Sequence, residues 1–185
     1  MIYTSNLVVG LERGLDDPAF LKRAADETGT GVELFLHVHD TAYQEKMETA
    51  AQWLGNRPRT THGPFIGVEA ASPRGSKEHE HFLAAYRYAF QMARSLNSPH
   101  MVFHTHQRVI QAHERDEARQ MCMESIRELL DLSTRYGVQL LIENLDFQKA
   151  GVSLFDEDAF LELLERFPQA GCLIDVGHLH VAGWN

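Results

Sequence analysis

Six apolar runs of strand character alternate with five helical stripes along this chain, and that alternation restricts its fold more than any other feature. The runs occupy residues 2–9, 31–38, 59–68, 100–106, 138–145 and 171–176. A segment such as Val138-Gln139-Leu140-Leu141-Ile142 is apolar nearly throughout, so both of its faces need cover. Between the runs, apolar residues recur at the 3.6-residue helical period. Asp17 can cap the first helix, Pro18 can open it, Phe20, Leu21, Ala24 and Ala25 form its stripe, and Gly29 offers a stop. The second helix runs from about Ala42 to Leu54. The third carries Phe82, Ala85, Tyr86, Ala89, Phe90, Ala93 and Leu96, and the fourth Ala118, Cys122, Ile126, Leu129 and Ser133. The fifth spans about 156–167, with Phe160, Leu163, Leu164 and Phe167 on one side, and halts at Pro168. Strands alternating with helices predict a parallel sheet, either covered on both faces or closed into a barrel.

An open dinucleotide-binding sheet is the competing architecture, but no strand leads into a glycine-rich phosphate turn. The expectation is therefore an α/β chain forming a parallel (β/α) TIM-type barrel. Such a barrel has eight strands and about 250 residues. The 185 residues here provide six, as one incomplete domain over 1–185. Residues 182–185 read as a loop leaving strand six. That pattern favours a piece of a longer chain, and the open edges of a six-strand sheet make a homo-oligomer an alternative way to cover them.

Composition narrows the partners. Asp and Glu number 26 against 17 Lys and Arg, a formal charge of −9 that disfavours nucleic acid and anionic membrane. No apolar run reaches membrane-spanning length, and the opening Met1-Ile2-Tyr3-Thr4-Ser5-Asn6 has no basic segment leading into an apolar one. Cys122 and Cys172 fall in a helical and a strand pattern and read as small buried apolar residues, consistent with a reducing cytoplasm.

In a parallel barrel the C-terminal strand ends face a common mouth, so polar residues there are functional candidates however far apart in sequence. Strand three ends in Thr60-Thr61-His62-Gly63-Pro64-Phe65 and strand four in Phe103-His104-Thr105-His106. Glu143 closes strand five, and Asp175 and His178 follow strand six. Imidazole nitrogens and carboxylate oxygens suit Zn²⁺, Mn²⁺ or a related divalent cation. A lone histidine after a strand is ordinarily a hydrogen-bonded structural residue. Glu143 and Asp175 are harder to dismiss, because a carboxylate ending an apolar strand is costly unless a cation or hydrogen bonds compensate it. The competing reading is a structural ion-pair network. His37 and His39 lie near the mouth, His106 and His180 lie near the ligand candidates, and His79, His81 and His113 read as surface residues.

The segments Thr61-His62-Gly63-Pro64-Phe65 with Ser72-Pro73, Phe103-His104, Ile142-Glu143-Asn144 and Cys172-Leu173-Ile174-Asp175-Val176-Gly177-His178 resemble the xylose isomerase-like TIM barrels. That superfamily includes sugar isomerases and epimerases and the endonuclease IV type of apurinic endonuclease (AP endonuclease family 2). Similarity to the endonuclease branch implies that His62 and His104 hold one metal, that Glu143 bridges to a second bound by Asp175, and that His178 serves a third. Similarity to the isomerase branch implies one ion on Glu143 and Asp175, with His178 hydrogen-bonding the substrate. Both branches draw further ligands from strands seven and eight. Glu33, in Gly31-Val32-Glu33-Leu34-Phe35, resembles a recurrent acid of the family that orients substrate or a ligand imidazole; the bland reading is a paired or solvated acid.

Arg74, Lys77, Arg108 and Lys149 follow strands and could meet a phosphate at the mouth, or be solvated loop charges. A broad basic face for duplex DNA is not evident. The leading expectation is a divalent-metal-dependent isomerase or epimerase acting on a small sugar or sugar phosphate, with Glu143 and His178 as its catalytic residues. Endonuclease IV-like cleavage of abasic DNA is the alternative, and a non-catalytic metal-binding partial barrel is the third reading.

Overall fold

A computed structural model describes residues 3–5, 18–37, 41–145 and 151–184. The order is β1 (Tyr3–Ser5), α1 (Pro18–Thr28), β2 (Gly31–Phe35), α2 (Thr41–Leu54), β3 (Arg59–His62), α3 (Lys77–Ser95), β4 (His100–Phe103), α4 (Arg115–Tyr136), β5 (Gln139–Glu143), α5 (Glu157–Arg166), β6 (Gly171–Leu173) and α6 (Val176–Ala182). The six strands form one sheet in the order β1-β2-β3-β4-β5-β6, and every neighbouring pair is parallel. Sequential parallel pairing with a helix in each described crossover is the (β/α) barrel arrangement that the alternation predicted. Asp17, His39 and Lys149 lie outside the described residues.

The core lies between strands and helices. Val32, Leu34, Met101, Phe103, Leu140 and Ile142 are buried, as are Phe82, Ala85, Tyr86, Ala89, Phe90 and Ala93 of α3 and Ala118, Cys122, Ile126 and Leu129 of α4. Burying each large side chain contributes about 1.5–3 kcal/mol before chain entropy is set against it. α3 begins at Ser76, whose side chain accepts from the His79 N–H at 3.1 Å, and Asp156 caps α5 through the Ala159 N–H.

The structure corrects four local expectations. The third strand ends at His62, and the apolar residues that follow it belong to a loop. Pro64 cannot donate to a ladder, and Val68, Ala70 and Ala71 are buried by loop packing instead of strand pairing. His79 is buried at 2% exposure: it falls on the same α3 face as Phe82 and Tyr86, with its Nε2 2.9 Å from Glu128 Oε2 on α4. Cys172 is exposed, because β6 is the edge strand of the described sheet. The chain past Asp175 does not run on as strand and loop but turns into α6, which ends at Gly183 in the left-handed conformation (φ 70°).

Candidate metal centre

Strand register sets the height of each ligand candidate. His62 lies opposite Val102, Phe103 opposite Ile142 and Glu143 opposite Leu173. His62 and Glu143 therefore end their strands, His104 follows β4 by one residue, and Asp175 follows β6 by two. All converge on the C-terminal edge of the sheet.

There the side chains meet. His104 Nε2 lies 3.0 Å from His62 Nε2 and 2.9 Å from Glu143 Oε2, and His62 Nε2 is 3.6 Å from that same oxygen. The other carboxylate oxygen, Oε1, is 3.3 Å from His178 Nδ1. Two donor groups result, His62–His104–Glu143 and Glu143–Asp175–His178, each with ligand atoms within 4.8 Å of one another. Glu143 belongs to both.

The surroundings orient these donors. His62 Nδ1 faces the Gly63 carbonyl at 2.8 Å, so that nitrogen carries the proton and Nε2 is turned toward the cluster. Asn144 holds the next strand by two hydrogen bonds: its Oδ1 accepts from the Asp175 N–H at 2.7 Å and its Nδ2 donates to the Asp175 carbonyl at 3.1 Å. Asp175 Oδ1 in turn accepts from the His178 N–H at 2.8 Å, capping α6. Phe65 stacks on His104 with ring centroids 4.9 Å apart, and Phe35 packs against Phe65 and His62, so the histidines stand against an apolar wall.

Burial and contact oppose each other at each titrating group. Burial alone would raise the Glu143 carboxyl, but hydrogen bonds from His104, His178 and His62 outweigh it and hold the group well below the usual carboxylate range. Burial lowers His62, and its contact with Glu143 more than reverses that. His104 stays below its ordinary value, chiefly by burial. The hydrogen bond with Glu143 pushes His178 up to about 9. Glu33, half-buried beside Ser5 on β1, is raised by burial, with Glu143 and Asp175 adding to the shift. In the metal-free protein the protonated His178 is the cation that meets the Glu143 charge at neutral pH. A nitrogen and oxygen donor set clustered around a buried carboxylate fits a divalent cation, and the described cysteines take no part in either group.

All five expected ligands are thus brought together, with Glu33 close enough to act on their charge. The two arginines are engaged elsewhere. Arg74 Nη2 lies 3.3 Å from Glu128 on α4, and Arg108 Nη1 lies 2.8 Å from Glu114. Lys77 is exposed at the start of α3. His106 is buried against Thr105 Oγ1 and belongs to neither donor group, and His180 is exposed on α6. His37 packs edge-on to Phe35, and His81 and His113 are exposed as expected. The roles of Asn144 and Phe65 were missed, although both residues lie within the quoted segments; a polar residue beside a strand-end acid was the available signal for Asn144.

Comparison with known proteins gives the same architecture. The sequence matches the model of one protein family, described as a xylose isomerase-like TIM barrel, over residues 21–185. No curated protein matches it. A D-tagatose 3-epimerase-like protein superposes with TM-score 0.72 at 19% identity, covering 95% of this chain and 65% of that one. The TTHB071 protein of Thermus thermophilus, from crystals soaked in zinc chloride, gives 0.67 at 17% identity over 96% of this chain and 66% of that one. An AP endonuclease of family 2 from Brucella melitensis gives 0.68 at 18% identity over 97% and 70%. The chain thus spans about two thirds of the length of these proteins, and at such identities the likeness is one of fold. Among the described residues, no helix is long and apolar enough to cross a membrane.

Proposed function

The chain belongs to the xylose isomerase-like TIM barrel family, and from that membership we propose a divalent-metal-dependent isomerase or epimerase acting on a small, sugar-like hydroxy-carbonyl compound. The observation that supports this reading is a donor cluster suited to a cation at the strand ends, with the two candidate phosphate-binding arginines paired with acids. An uncharged polyol-like substrate suits that mouth better than a phosphate, and the net charge of −9 points the same way.

Glu143, Asp175 and His178 would hold the cation, with Zn²⁺ and Mn²⁺ suited to the donor set. A cation there would act as a Lewis acid toward adjacent substrate oxygens and lower the barrier to removing the intervening C–H proton. Glu143 is the carboxylate assigned to take a proton, which requires that the histidine contacts holding it ionised be given up. Glu33, whose carboxyl burial raises, is the second acid near the cluster and is suited to orient a substrate oxygen. Phe35 and Phe65 exclude water from the histidine side.

The test is exchange of substrate α-protons with deuterated solvent across a panel of ketoses, with Zn²⁺ or Mn²⁺ added. Exchange that EDTA removes and Glu143→Gln abolishes is expected; no exchange with any ketose by metal-loaded protein sinks the reading. The second donor group, His62–His104–Glu143, favours a second reading, multi-metal phosphodiester cleavage of the AP endonuclease kind. It predicts EDTA-sensitive incision of an abasic-site duplex. Metal uptake with neither activity leaves the non-catalytic metal-binding module.

A further inference from the structure

The ladder between β3 and β4 has two register pairs, Thr61 with Met101 and His62 with Val102, and is prolonged by the Gly63 N–H to the Val102 carbonyl at 2.8 Å. It stops short of His104. His104, which faces His62 at 3.0 Å, therefore stands one residue beyond the ladder that holds His62. A single carboxylate spans the gap beyond. Glu69, in the loop after β3, accepts through Oε2 from the N–H groups of Gln107 at 2.9 Å and Arg108 at 2.7 Å, both in the loop after β4. Its Oε1 accepts from the Ala71 N–H at 2.7 Å within its own loop.

Hydrogen bonds from backbone N–H to an ionised carboxylate are among the stronger ones, and three on one side chain fix its position. The platform beneath Glu69 is rigid as well. Val68, Ala70 and Ala71 are buried, and Ser125 of α4 donates to the Ala70 carbonyl at 2.7 Å. On the far side, the Arg108 side chain reaches Glu114 beside the first turn of α4. The loop carrying His104 is thus referenced to α4 through Glu69.

We propose that Glu69 is a positioning residue: by clamping the loop after β4 to the loop after β3, it sets the approach of His104 to His62 and so the affinity of the His62–His104–Glu143 group for a cation. This deepens the proposed function and rests on the reading of the cluster as a metal centre. Glu69 touches neither a ligand atom nor the reacting groups. Asp175 and His178 are held by Asn144 and the β5–β6 ladder, so Glu69 reaches that group only through the shared Glu143.

The experiment compares the whole protein with Glu69→Ala and Glu69→Gln by NMR of the histidine ring nitrogens, metal-free and during zinc titration. In Glu69→Ala the ring signals of His62 and His104 shift, and those of His178, reached only through Glu143, shift less. Zinc affinity at the His62-containing group falls about 10–100-fold, as for other groups that orient a ligand without touching the metal, with a smaller loss on the Asp175 side. Glu69→Gln keeps an acceptor oxygen for the Gln107 and Arg108 N–H groups but sets its NH2 against the Ala71 N–H, so it recovers only part of that loss. Unmoved His62 and His104 signals overturn the proposal, as does an equal loss on both sides. If the wild type takes up no zinc, the metal-centre reading fails and the metal-free ring signals alone decide the clamp.

Discussion

Glu143 carries a carboxylate where burial alone would discharge it, and three imidazoles keep it charged. That balance has a consequence for metal uptake. His178 lies near 9 in the metal-free protein, so at pH 7.5 it holds a proton that it must lose to become a ligand. Zinc binding at that pH is expected to release about one proton or more, and affinity falls as pH is lowered. Calorimetry in buffers of different ionisation enthalpy measures the release; an enthalpy independent of buffer contradicts it. Replacing Glu143 by Gln removes the oxygen anion shared by both donor groups. Zinc affinity should then drop by more than the ~100-fold seen when only an orienting partner is lost, measured by competition with a chromogenic chelator. The five candidate ligands were legible in the sequence because all lie at strand ends, which a parallel barrel gathers at one mouth, and because Glu143 and Asp175 end apolar runs, where an uncompensated carboxylate is costly. Asn144 and Glu69 were not, because their partners are backbone groups on other strands or loops, which sequence spacing does not reveal.

At the level of elements, every strand and the five expected helices were legible, because each presents an apolar face at its own period. The errors fell where apolarity has another cause. Residues beyond His62 are buried beneath a loop, and His79 owes its burial to the packing of α3 on α4. Gly63 prolongs the pairing of β3 with β4 by one residue. A Cβ there would lie 2.8 Å from the Tyr86 ring and 2.8 Å from the Val102 carbonyl oxygen, so the backbone passes too close to β4 for any side chain. Gly63→Ala is expected to cost about 1–3 kcal/mol through overpacking, seen as a lower urea midpoint. Adding Tyr86→Phe leaves the carbonyl contact in place and should not restore the midpoint. Because His62 directly precedes this point, zinc uptake should fall with it; an unchanged midpoint in the single variant argues against the close approach.

At the scale of the whole molecule, barrel order followed from alternation, while the arrangement of the mouth depends on loops that no periodicity describes. One buried group there couples the site to global stability. His106 is 6% exposed, and burial, reinforced by His104 and Arg108, pushes its imidazole down to about 4. The ordinary value is about 6.5, so between these two values the unfolded chain takes up a proton that the folded protein refuses. The contribution is therefore intact above pH 6.5 and is lost as the pH falls toward 4. At pH 5 it amounts to about 2 kcal/mol of lost stability relative to neutral pH. His106→Gln keeps a polar partner for Thr105 and removes the titration. Urea unfolding at pH 7 and pH 5 should show the wild type losing about 2 kcal/mol more than the variant over that interval. Ordinary carboxylates titrate mostly below this window and are common to both proteins, so they cancel in the difference. Equal losses in the two proteins would show that His106 is protonated in the folded state at pH 5, and hence that water reaches the floor of the mouth.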